Sequence, residues 1–155
     1  MVVRSTAAFA LAALLLLAGC AGAVPGAPTP TPEPVEPRIV GTVSTGGQCV
    51  EAPRVGMAVD SARAEGVWTV TVEGNVTVDG AHYAVERFDL RAVDDRVYRL
   101  DVTTTADTGK PVRECEQGGI VHYRATVEFP AEPAFELQIR HDGVLVSAVG
   151  SGAES

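Results

Sequence analysis

The C-terminal two thirds of this 155-residue chain predict an all-β domain built as an antiparallel β-sandwich. Three observations lead there. Apolar residues recur at period two, and no long window shows helical spacing. Turn-forming pairs, above all Asp79-Gly80, Asp94-Asp95 and Asp142-Gly143, punctuate the chain at intervals that suit short strands. In the run Val121 to Phe129 every second side chain is apolar, as a strand with one buried face requires.

The chain begins with a segment of a different kind. Met1 to Thr6 carries one positive charge, Arg4, and Ala7 to Leu17 is an unbroken apolar run. That run is too short for a permanent membrane helix, which needs about 20 residues. It has the size of a signal-peptide core, and without a twin-arginine pair it points to the general secretory route. It closes on Leu17-Ala18-Gly19-Cys20. This tetrad resembles the lipobox of prokaryotic lipoprotein precursors, in which the cysteine becomes the new N-terminus. The resemblance covers the first twenty residues only. It implies a signal peptide over 1–19, a lipid on Cys20, and an extracytoplasmic location with the membrane as a partner through that lipid. An ordinary cleaved signal with an Ala-x-Ala site near Ala21 to Ala23 is the alternative.

Residues 20–37 read as a tether. Pro25, Pro28, Pro30, Pro32, Pro34 and Pro37 remove backbone donors and favour extended polyproline II. At about 3.1 Å per residue such a spacer reaches roughly 50 Å. The domain is expected over 38–150, with a flexible tail at 151–155.

Within the domain, Ile39 to Val43 and Met57 to Ala64 are the first expected strands. Trp68, Val70, Val72, Val76 and Val78 share one parity, and a turn at Gly74-Asn75 would break their common face. One long strand is therefore expected, with Gly74 at a bend or a close backbone approach. Asp79-Gly80 predicts a hairpin into His82 to Ala92. There Tyr83 and Val85 differ in parity from Phe88 and Leu90, so a bulge is expected near Glu86-Arg87. After a turn at Asp94-Asp95, Val97 to Thr103 points Tyr98, Leu100 and Val102 inward. Thr104 to Pro111 reads as a loop, and Gly118-Gly119 precedes the Val121 to Phe129 strand. A closing hairpin at Asp142-Gly143 is expected to pair Ile139 with Val146 and Leu137 with Ala148. Immunoglobulin-like topology is the expected form of the sandwich, given Trp68 on an early strand and a cysteine pair. A small β-barrel is the alternative.

With Cys20 assigned to the lipobox, Cys49 and Cys115 remain as an even pair. Export to an oxidising compartment predicts a disulfide between them rather than two free thiols. A structural zinc site is not expected, because neither cysteine has a ligand partner at the usual spacing.

The chain has 20 acidic residues against 12 basic ones, a formal charge of −8, and loss of Arg4 with the signal peptide takes this to nine net negative charges. Such a charge repels a polyanion, so nucleic acid is not an expected partner. Lys110 is the only lysine beside eleven arginines, as in a salt-adapted surface or the product of a GC-rich genome.

No reactive constellation stands out. His82, His122 and His141 are scattered and are expected as solvated surface histidines. There is no Gly-x-Ser-x-Gly elbow and no Ser-x-x-Lys motif. His141-Asp142 makes no dyad, since adjacent strand residues point apart. Glu114 and Glu116 flank Cys115, but their spacing does not supply the oxygens a hard cation needs. Asn75-Val76-Thr77 is a glycosylation sequon, with Asn75 on the outward face of its strand. No catalytic residue, metal ligand or cofactor is assigned. The expected function is that of a lipid-anchored, non-catalytic binding or structural module with a protein or surface partner. The alternatives are a small ligand-binding accessory lipoprotein of a transporter or envelope complex, and an enzyme or enzyme inhibitor with its site in loops.

Overall fold

The structure, a computed structural model, describes residues 36–151. The expected signal peptide, Cys20, the expected tether up to Val35 and the expected tail beyond Ser151 lie outside the described residues. Among the described residues nine strands form: β1 (Arg38–Ser44), β2 (Gln48–Cys49), β3 (Met57–Ala64), β4 (Val67–Gly80), β5 (Tyr83–Asp94), β6 (Val97–Ala106), β7 (Glu114–Pro130), β8 (Glu136–His141) and β9 (Val144–Gly150). They make two packed sheets. One has the order β1-β7-β4-β3, with β2 also on β7, and the other β5-β6-β8-β9. The β-sandwich is therefore the architecture, and no barrel closes. Its strand order is not that of an antibody domain, whose sheets are antiparallel throughout. Here β6 and β8 run parallel, from Val97 opposite Glu136 to Val102 opposite His141.

Period-two burial explains each central strand. On β4, Val70, Val72 and Val76 face inward, as do Val121, Tyr123, Ala125, Val127 and Phe129 on β7. Leu100 and Val102 of β6 and Leu137 and Ile139 of β8 meet them from the other sheet. Each such aliphatic side chain contributes roughly 1.5–3 kcal/mol on burial. At one end Phe129 and Phe135 stack at 3.9 Å between ring centroids, and Tyr98 tilts onto Phe129 at 5.3 Å. The bulge expected at Glu86 is present: Val85 pairs with Thr104 and Arg87 with Thr103, which lets Val85 and Phe88 both reach the core.

Several local expectations are corrected. Asp79-Gly80 does not turn a hairpin. β4 continues through both residues, and Ala81 and His82 carry the chain across to β5 in the other sheet. Over most of its length β4 has β3 on one edge and β7 on the other, so no edge is free for β5. The hairpin into β4 lies before it, at Glu65 and Gly66, whose φ angles of 51° and 80° are those a type I′ turn needs. The next turn sits one residue later than Asp94-Asp95, on Asp95 and Arg96, since Asp94 still pairs with Val97. β6 extends to Ala106, into the expected loop. In the β8–β9 hairpin a bulge shifts the register by one, so Ile139 faces Ser147 and Leu137 faces Val149. The extra residue places Val146 and Val149 against the core and leaves Ala148 exposed.

His141 is corrected too. It is 5% exposed, not solvated. On β8 it continues the inward row of Leu137 and Ile139, and parity outweighs its nearness to a turn.

Candidate functional site

The outward faces of β4 and β7 build a concave surface. Because Val72 and Val76 point inward, Glu73 and Asn75 point outward, and the antiparallel register sets them opposite Arg124 and His122. Arg124 Nε donates to Glu73 Oε1 at 2.7 Å, an exposed pair whose charges cancel locally. One wall is the end of β1. Thr45 N–H donates to the His122 carbonyl at 2.9 Å, and Thr45 Oγ1 accepts from His122 N–H at 3.2 Å. The other wall is the segment entering β3, held where Asn75 Oδ1 accepts from Gly56 N–H at 2.8 Å and Asn75 N–H donates to the Gly56 carbonyl at 3.0 Å. Between the walls runs a shallow groove of about 610 Å³ with Val43 and Met57 on its rims.

This set offers an imidazole, an amide, a hydroxyl and a neutralised ion pair beside two apolar rims. Such a mixture suits hydrogen bonding and contact with a polar ligand. His122 is exposed, and no hydroxyl or carboxylate lies within hydrogen-bonding reach of its ring among the described residues. A second crevice, of about 350 Å³, opens between the sheet edges β3 and β9. Val59, Trp68, Val70, Phe135 and Val149 line it, with Arg63 lying 6.0 Å from the Trp68 ring.

The residues singled out in the sequence fall in different places. Cys49 and Cys115 are joined as a disulfide, with 5.3 Å between their Cα atoms and a sequence separation of 66. β2 sets Cys49 opposite Gly119 of β7, and residues 115–118 bulge out opposite Asp79. Gly119 is required there, because a Cβ would stand 2.9 Å from the Gln48 carbonyl oxygen and 3.3 Å from Cys115 Sγ. The disulfide, Glu114 and Glu116 border a separate depression away from the groove. Asn75 is on the outward face as expected, half-buried and committed through Oδ1 to Gly56. His82 is half-buried at the β4–β5 crossing, where Arg113 N–H reaches its Nδ1 at 3.3 Å. No three His, Cys, Asp or Glu side chains converge among the described residues.

Comparison of the chain with protein-family models, curated proteins and solved structures finds no match. The site is therefore argued from its own geometry. Glu73, Asn75, His122 and Arg124 were each readable as outward residues, but their assembly depends on pairing two strands about fifty positions apart. The shared Thr and charged composition of the two outward faces is the one sequence signal that could have joined them.

The core holds one titratable pair of another kind. The Tyr123 hydroxyl lies 2.7 Å from His141 Nε2, with the rings edge to face at 5.4 Å. Burial pushes the phenol well above its ordinary range. It pulls the imidazole of His141 below the usual 6.5, and neighbouring Asp142 offsets part of that. Asp142 itself is taken up by Thr104, accepting from its N–H at 2.7 Å and its hydroxyl at 2.8 Å.

Proposed function

We propose that the chain is an extracytoplasmic lipoprotein, held at the cell membrane by lipid on Cys20, whose β-sandwich is a non-catalytic binding module. The observation that carries the binding role is the walled groove over Glu73, Asn75, His122 and Arg124, a set with hydrogen-bonding capacity and no nucleophile–base pair. The lipobox, the Pro-rich tether and the Cys49–Cys115 disulfide support the compartment, since disulfides persist where the surroundings are oxidising. A photo-crosslinking residue in place of His122, used in intact cells, should trap one discrete partner. The same residue in place of Glu65, on the distant hairpin, should not. Equal or absent crosslinking from both positions rejects the groove. Mass spectrometry of membrane-extracted protein should find Cys20 modified, and an unmodified soluble product rejects the anchor.

The accessory-lipoprotein reading is favoured by the crevice between β3 and β9, where Val59, Val70, Phe135 and Val149 meet Ser61 and Ser151 and whose volume of about 350 Å³ lies within the range of small-ligand sites. Trp68 lines it, so its fluorescence should change on loading with an apolar probe.

A further inference from the structure

β3 and β9 are end strands of their sheets, and the crevice opens between them. The β3–β4 register sets Val59 opposite Val72, Ser61 opposite Val70 and Arg63 opposite Trp68, so Val59, Ser61 and Arg63 form one inward row. Val70 and Val72 are buried, whereas Ser61 and Arg63 on the same face are exposed, because the second sheet stops short of this edge of the first. Every residue lining the crevice is uncharged. Val59, Val70, Phe135 and Val149 supply apolar surface, and Ser61 and Ser151 supply hydroxyls. Ser151 Oγ accepts from Phe135 N–H at 2.9 Å, which leaves its O–H free to donate. Arg63, next along the row, is the only cation on β3 or β9. Its guanidinium carbon lies 6.0 Å from the centre of the Trp68 ring, and its Nη2 lies 3.4 Å from Glu132 Oε1. Arg63 and Glu132 are 50% and 76% exposed, so that ion pair is weak and readily exchanged.

We infer that the crevice takes a small amphipathic carboxylate. Its hydrocarbon body lies against Val59, Val70, Phe135 and Val149, and its carboxylate meets Arg63 at the mouth in place of Glu132. The assignment rests on the ligand-binding reading of the crevice and names the class of ligand. A mixed lining of aliphatic, aromatic and hydroxyl groups suits a molecule with an apolar body and a polar end. The planar guanidinium fork matches a carboxylate, and the Trp68 face keeps Arg63 at the mouth when Glu132 leaves. An ammonium group would meet Arg63 as a like charge. The uncharged lining brings no carboxylate of its own against an acid, while the −8 of the whole chain repels a polyanion. The crevice, with a volume of about 350 Å³, is at the low end of ligand sites, which limits the body to a short chain or a single ring.

Trp68 is the only tryptophan of the chain, so its fluorescence reports the crevice. The full chain is titrated with hexanoate, hexanol and hexylammonium at neutral pH and constant ionic strength. Hexanoate should change the emission saturably, with a half-saturating concentration about tenfold below that of hexanol, the worth of one charge-assisted hydrogen bond. Hexylammonium should bind most weakly. Arg63→Gln should bring hexanoate to the level of hexanol and leave hexanol unchanged, and Glu132→Gln, which removes the competing carboxylate, should tighten hexanoate. No saturable change with any of the three overturns the ligand-binding reading of the crevice and the carboxylate with it. Hexanol binding as tightly as hexanoate leaves that reading standing and overturns the carboxylate alone. A preference for hexanoate that survives Arg63→Gln also overturns the assignment, since Arg63 is then not its anchor.

Discussion

Tyr123 of β7 and His141 of β8 touch through the middle of the molecule, hydroxyl to imidazole, and so hydrogen-bond one sheet to the other. Both are almost fully buried, and among the described residues His141 Nδ1 has no partner. Phe88 meets the Tyr123 ring edge-on from β5 at 5.8 Å. The pair is therefore a polar joint in an otherwise apolar core, and its cost and value can both be measured.

Its pH dependence has two limbs. His141 titrates below 6.5 in the folded chain and near 6.5 when unfolded, so folding favours the neutral ring. That contribution is complete above about 6.5 and is lost as pH falls toward the folded value. Tyr123 behaves oppositely: its folded pKa is raised, so its contribution is complete below 10 and is lost as pH rises beyond it. Urea midpoints from about pH 8 to about pH 5 should fall, and His141→Phe should flatten that limb. An unchanged slope in the variant would assign it to other groups.

Removing the hydroxyl alone leaves a buried nitrogen unmet. Tyr123→Phe should cost about 1–3 kcal/mol. Tyr123→Phe combined with His141→Phe should cost less than the two added together, because the residues touch; a double-mutant cycle in urea gives the coupling directly. Strict additivity would mean that the contact contributes nothing.

Gly74 makes room for this joint. It pairs directly with Tyr123, and a Cβ on it would stand 2.8 Å from the hydroxyl and 2.9 Å from Cζ. Gly74→Ala should lose about 1–3 kcal/mol through overpacking. Gly41→Ala, where nothing lies within 4 Å, should change stability by no more than about 0.5 kcal/mol. Thermal melts of the two variants side by side check the contrast.

The disulfide joins the short β2 to the bulged start of β7. Replacing both Cys49 and Cys115 with Ala should cost about 2–5 kcal/mol. Non-reducing peptide mapping should recover the Cys49–Cys115 link, and the melts of parent and variant should converge when the parent is reduced.

Where burial is one-sided, the fold was legible. Trp68, Val70, Val72, Val76 and Val78 announce a single long β4 because only one parity can face the core, and Gly74 within that row signals the close approach that Tyr123 makes. The parity break after Val85 likewise announces its bulge. Asp79-Gly80 misled because turn chemistry is local, whereas the free edge that a hairpin needs depends on β3 and β7. The closing hairpin misled by one residue, since a bulge at Val146 leaves the turn itself unchanged. His141 was misplaced because its nearness to the turn was weighed above its parity with Leu137 and Ile139. The groove was missed for another reason: it depends on strands far apart in sequence, which composition and spacing along one strand do not bring together.

The β1–β7 ladder has a consequence for when this protein can become itself. Arg38 reaches Glu128, 90 positions further along the chain, at 2.8 Å, and among the described residues the ladder of β1 is made to a strand that ends at Pro130. A chain emerging N-terminus first therefore has its opening strand idle until nearly the whole domain has followed. Contacts so remote in sequence slow folding toward the millisecond-to-second range. Throughout that wait Val40 and Val43 stand ready to pair with the wrong neighbour, which makes the arrival of β7 the event that ends the exposed phase of the chain's life.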